Sequence, residues 1–126
     1  MKVSEVRKVM SKYGQAWETQ DPSLILECFT RDAIYQENPL SKPYRGHTQI
    51  KDFWNRVVVE ETTGIKFRLM KCYVSDDGKT GFAEWRCKNT NKGRKGTMVG
   101  VTIIKMKGPK ITYLNEYWNT KRYGPK

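Results

Sequence analysis

Midway along this chain the hydrophobic period changes, and that change limits what it can fold into. In the first half, Val6, Met10, Tyr13 and Trp17 fall at i, i+4, i+7 and i+11, one stripe of an amphipathic helix. Asp21-Pro22 supplies an N-cap and a first helical residue for a second, short helix through SLILECF. That helix ends near Thr30, and AIYQ (33–36) reads as a strand running into Glu37, Asn38 and Pro39, a residue that stops regular pairing. SKPYRG (41–46) is turn chemistry. From Thr48, Ile50, Phe53, Trp54, Val57 and Val58 return to helical spacing until Gly64. Beyond it the period is two. Ile65, Phe67, Leu69, Lys71 and Tyr73 alternate with Lys66, Arg68, Met70 and Cys72, and Ala83, Trp85 and Cys87 with Glu84, Arg86 and Lys88. TMVGVTIIKM and ITYLNEYW follow, separated by short glycine-containing turns, so the second half is an antiparallel meander.

A curved sheet of this kind must have its inner face covered, and the helices are the elements available to cover it. The expected class is therefore α+β, one domain over 1–126, a chain long enough for a single core.

Charge narrows the function classes. Lys and Arg number 24 against 13 Asp and Glu, a net charge of +11, which favours anionic partners such as an acidic protein, an anionic metabolite or nucleic acid. The positives are scattered, from Arg7, Lys8 and Lys12 to Lys121, Arg122 and Lys126, and no nucleic-acid-binding motif accompanies them. Cys28, Cys72 and Cys87 match neither a zinc spacing nor a disulfide framework, so reduced thiols in a cytoplasmic setting are expected, with neither metal nor cofactor. His47, the lone histidine, stands at a helix entrance, where a capping or surface role is expected. The start MKVSEVRKVMSKYG has no apolar run for a membrane.

Trp17 and Asp21 closing the first helix, CFTRDAIYQENP, YRGHTQIKDFW and KITYLNEYWNT together resemble the nuclear transport factor 2-like superfamily, SnoaL-like branch, over nearly the whole chain. The resemblance implies a cone-shaped barrel whose bent sheet wraps a long first helix and leaves a pocket at one end. Members include cyclases, isomerases, dehydratases and proteins that only bind, so the fold alone does not decide activity. Comparison with the ketosteroid isomerases puts Tyr13 where an oxyanion-donating tyrosine falls. It puts either Glu37 or Asn38 where the base falls, and Val99 where a second, protonated acid would stand, so that group is absent.

On the last strand Leu114, Glu116 and Trp118 share one face, and the comparison implies that this face lines the pocket with Trp17, Tyr35, Asn38, Trp54, Trp85 and Val99. Among the tryptophans Glu116 would lose solvation and its pKa would rise, as acid-base work near neutrality needs; on a strand it can equally be exposed or paired with an arginine. Tyr13 fits a core tyrosine as well as a donor. The expected function is binding of a small cyclic apolar ligand. If a reaction occurs, it is proton transfer of the isomerase or cyclase type, with Glu116 or Glu37 as base and Tyr13 as oxyanion donor. The outer sheet face, expected to show Arg68, Arg86, Met98, Ile104, Tyr113 and Tyr117, suggests a homodimer. The alternative is a basic dimeric adaptor for an acidic protein or nucleic acid.

Overall fold

The computed structural model describes residues 1–124; Lys126 of the basic groups lies outside them. The first stripe forms helix α1 (Val3–Thr19), which buries Val6, Val9, Met10, Tyr13, Gly14 and Ala16. α1 stops where Gln20 turns left-handed at φ 58°. The Gln20 carboxamide then donates to the carbonyls of Val58 (2.7 Å) and Thr62 (2.6 Å), tying this corner to the middle of the chain. Asp21 caps α2 (Pro22–Glu27), its carboxylate accepting from the Ser23 and Leu24 amides at 2.8 and 3.3 Å.

β1 (Phe29–Gln36) begins earlier than AIYQ, and Tyr44–Arg45, inside the expected turn, pairs with it as the short strand β2. α3 (Gly46–Phe53) follows, with His47 Nε2 3.0 Å from the Phe29 carbonyl. α3 continues into a wider π-helical stretch (Trp54–Glu60), where the Val57 carbonyl accepts from the Thr62 hydroxyl at 2.8 Å.

The meander is β3 (Thr62–Val74), β4 (Gly81–Asn91), β5 (Arg94–Lys107) and β6 (Lys110–Tyr123). The sheet is open, ordered β2-β1-β6-β5-β4-β3, with every neighbour antiparallel except β1 and β6, which run parallel. α1 packs across β3 and β4 on the inner face.

Register decides which side chains reach the interior. Gly100 pairs with Trp85 on one side and Trp118 on the other. Stepping by two from Gly100 sends Met98, Thr102 and Ile104 inward and Val99, Val101 and Ile103 outward. The expected outer face is corrected accordingly. Ile104 is fully buried and Met98 turns inside, while Arg68, Arg86 and Tyr117 are exposed on the outer face as expected. On β3 an irregularity between Leu69 and Cys72 breaks the alternation, burying Cys72 and leaving Tyr73 outside. All three cysteines are buried and free, and no helix among the described residues is long and apolar enough to cross a membrane.

Candidate functional site

Between α1, the π-helical stretch and the inner face of β3–β6 lies a cavity of about 220 Å³. Trp17, Phe53, Val57, Phe67, Trp85, Met98 and Trp118 form its apolar walls. Glycine makes that hollow possible. A Cβ on Gly100 would stand 2.7 Å from Trp85 Cζ2 and 2.8 Å from Trp118 Cβ, so the two indoles come together only over a bare backbone. Exposed Lys92 and Thr120 mark the open end, with Glu61, Asn91 and Arg122 beside them.

Glu116 lines the cavity with 4% of its surface exposed. Trp85 Nε1, which can only donate, gives its hydrogen to Thr102 Oγ1 at 2.8 Å, and the Thr102 hydroxyl gives its own to Glu116 Oε2 at 2.7 Å. The Tyr35 hydroxyl lies 3.3 Å from Glu116 Oε1 and shares a 2.6 Å hydrogen bond with the Tyr13 hydroxyl. Removal from water pushes the Glu116 carboxyl up to about 7, against the Thr102 hydrogen bond, which favours the anion. Burial, then the charge of Glu116, holds both tyrosines well above their usual range, so they remain neutral donors.

Glu37 also lines the cavity. Burial raises its carboxyl pKa and Arg56 lowers it, and its carbonyl accepts from Trp118 Nε1 at 2.7 Å. Of Glu37 and Asn38, Glu37 is the one that lines the cavity. Asn38 points to a groove on the outer side, where its side-chain oxygen accepts from the Leu40 amide at 2.9 Å.

Glu116, Glu37, Trp17, Trp85 and Trp118 thus meet around one space. Five further placements are corrected. Tyr35, Trp54 and Leu114 are completely buried behind the wall rather than in it. Val99 is 47% exposed on the outer face, and the β5 residue that reaches the acid is Thr102. Tyr13 is completely buried too, so its hydroxyl acts on Tyr35 and cannot reach a ligand oxyanion. Thr102, Phe67, Met98 and Arg122 are site residues that the pattern reading did not single out. Among the described residues no three His, Cys, Asp or Glu side chains gather closely enough to hold a metal ion.

An open, bent sheet folded over a long helix, with an acid lodged in an apolar hollow, defines a cone-shaped pocket protein of the nuclear transport factor 2-like class. The chain belongs to the SnoaL-like domain family, whose model matches residues 10–114. Solved structures share the fold at low identity. SalBIII, an epoxide hydrolase/cyclase-like enzyme of pyran ring formation in salinomycin, is 15% identical, with 93% of this chain and 95% of that one covered and a TM-score of 0.80. An LEH-like epoxide hydrolase of M. tuberculosis is 14% identical over 93% and 84%, with a TM-score of 0.76. A Catenulispora acidiphila protein with a ketosteroid isomerase-like fold, in complex with trimethylamine, is 19% identical over 86% and 83%, also at 0.76. No curated protein matches the sequence.

Proposed function

We propose that this protein binds a flat, apolar to moderately polar cyclic molecule in the cavity and that Glu116 exchanges a proton with it. One observation carries the reading: a carboxyl raised to about 7 stands in the wall of an indole-lined hollow. Near neutrality such a group is present in both forms, so it can take a proton from an activated carbon or give one to a developing oxygen. Thr102 and Tyr35 hold its two oxygens in place. Tyr13 is a positioning residue acting through Tyr35, and Glu37 is a second acid facing the ligand. Neighbours of the fold, a cyclase-like enzyme and an epoxide hydrolase among them, support proton-transfer chemistry of the isomerase or cyclase type.

The test is a thermal-shift screen with steroids, polyketide-like aromatics and flavonoids, repeated across pH for wild type and Glu116→Gln. A ligand at a hundred times its dissociation constant adds about 2.7 kcal/mol. Binding whose pH dependence turns over near the Glu116 pKa, and flattens in Glu116→Gln, supports the proposal. Identical pH profiles in both proteins remove Glu116 from it.

The outer sheet face enters the same proposal as the contact of a homodimer. Val99 and Tyr117 are each 47% exposed there, and Val101, Ile103 and Tyr113 are partly exposed beside them.

A further inference from the structure

Arg122 stands at the open end of the cavity, paired across the sheet with Gly96. A Cβ on Gly96 would lie 2.5 Å from Arg122 Cδ and 2.7 Å from its Nη1, so the arginine side chain lies over a residue that leaves it room. Its Nη1 is anchored by three neutral oxygens: Asn89 Oδ1 at 2.6 Å, the Asn89 carbonyl at 3.3 Å and the Arg94 carbonyl at 3.4 Å. A guanidinium is a planar fork of five N–H donors, and anchoring one nitrogen orients the rest. Among the described residues Nη2 and Nε of Arg122 make no hydrogen bond.

Counter-charge is missing as well. Lys12–Glu27 is the one ion pair among the described residues, so Arg122 and the neighbouring Lys92 have no carboxylate within pairing distance. Glu61 shares the rim and stays beyond that distance from both. A positioned, half-buried cation beside low-dielectric walls attracts an anion more strongly than a solvated surface lysine does. Phe67, Met98 and the three tryptophans supply apolar walls for a ligand body, with Glu116 and Glu37 set among them.

We propose that the ligand is an organic anion: a flat apolar body that fills the hollow, with a carboxylate held by Arg122 and assisted by Lys92. This rests on the cavity-binding reading above and names its ligand class. It also orients the ligand, because a carboxylate at the rim leaves the apolar end to face Glu116.

Calorimetric titration with naphthalene-2-acetate and its carboxamide at moderate salt separates the two readings. The probes differ chiefly in charge. Wild type should bind the carboxylate about tenfold or more tighter than the amide, the size of one charge-assisted bidentate contact. Arg122→Met should bring the ratio close to one, and Arg68→Gln, on the outer face, should leave the ratio unchanged. Equal binding of acid and amide by wild type overturns the anion proposal and leaves the cavity reading standing. A preference that survives Arg122→Met, or one that Arg68→Gln abolishes equally, also overturns it. Failure of wild type to bind either probe removes both readings. Should Arg122→Met fail to fold, the wild-type ratio and Arg122→Lys, which keeps charge without the fork and should lower the ratio, decide the matter.

Discussion

Thr102 and Glu116 are direct partners across β5 and β6, and the Thr102 hydroxyl donates to Glu116 Oε2 at 2.7 Å. The same hydroxyl accepts from Trp85 Nε1, so it has one hydrogen to give and one place to give it. A buried carboxyl thus keeps a charge-assisted donor that selectively stabilises its anion. Without that donor, removal from water would act on Glu116 with less opposition.

Thr102→Val should therefore raise the Glu116 pKa above its value of about 7. It also strips Trp85 Nε1 of its acceptor, which costs about 1–3 kcal/mol for a buried donor. Thr102→Ser should restore both. The readout is the pH midpoint of stability relative to a matched Glu116→Gln protein, and an unmoved midpoint in Thr102→Val would show that the hydroxyl does not influence the acid.

Stability should fall as pH rises through the acid's titration. The folded pKa of about 7 lies above the ordinary value of 4.5, so between those limits the native state binds more protons than the unfolded chain. The contribution is complete below 4.5 and is lost as pH rises towards and through 7. A gap of 7 − 4.5 at 1.36 kcal/mol per unit corresponds to about 3 kcal/mol. Denaturant unfolding of wild type and Glu116→Gln from pH 4 to 9 should show wild type losing stability relative to the variant in that window, and parallel curves would contradict it.

Tyr13 and Tyr35 should behave as one unit. Tyr35→Phe removes a hydroxyl from beside Glu116 and leaves the Tyr13 hydroxyl, completely buried, without its Tyr35 partner. An orphaned buried hydroxyl costs about 1–3 kcal/mol, whereas removing both members of a pair costs much less than the sum. A Tyr13→Phe/Tyr35→Phe double-mutant cycle should consequently be non-additive by about 1 kcal/mol or more. Strict additivity would mean that the 2.6 Å contact contributes no coupling.

Some of this site was legible before any coordinates and some was not, for reasons that lie in particular residues. Glu116 could be placed inward because strand spacing puts it on one face with Leu114 and Trp118, and the family resemblance aligns that face with the pocket. β5 offers no such contrast: VGVTII is apolar or neutral on both faces, so nothing in its pattern sets the phase, and Val99 and Thr102 exchange places with a one-residue slip. The phase marker was Gly96 and Gly100, four apart on one face and each opposite a large side chain. β2 spans only two residues, too few to show a period. Tyr13, Tyr35 and Trp54 read as pocket aromatics, but the type of a large side chain does not say whether it lines a cavity or fills the core behind it.

The proposed dimer predicts a mass change. Val99→Lys/Tyr117→Lys places two charges in the exposed outer patch, away from the cavity. Sedimentation should show a dimer for wild type and a monomer for the variant, with melting temperature changed only by the loss of assembly. A monomeric wild type at high concentration would discard the dimer and leave the patch as bare surface.

Gly14 tests how closely α1 is fitted against the cavity. An alanine in the middle of a helix ordinarily stabilises it by about 1 kcal/mol relative to glycine. Here the added Cβ would lie 2.4 Å from Phe67 Cδ1 and 3.1 Å from Cγ, so the whole ring, not a flexible tip, must move. Phe67 is stacked on Trp85 at 5.5 Å between centroids and lines the cavity, which gives the displaced ring little room except in the ligand's space. Gly14→Ala should thus lower the melting temperature and weaken ligand binding together, and Gly14→Ala/Phe67→Leu should recover part of the stability by relieving the overlap. A Gly14→Ala protein that melts higher than wild type with unchanged affinity would show that α1 has slack against β3, and would withdraw Phe67 as a fixed wall of the site.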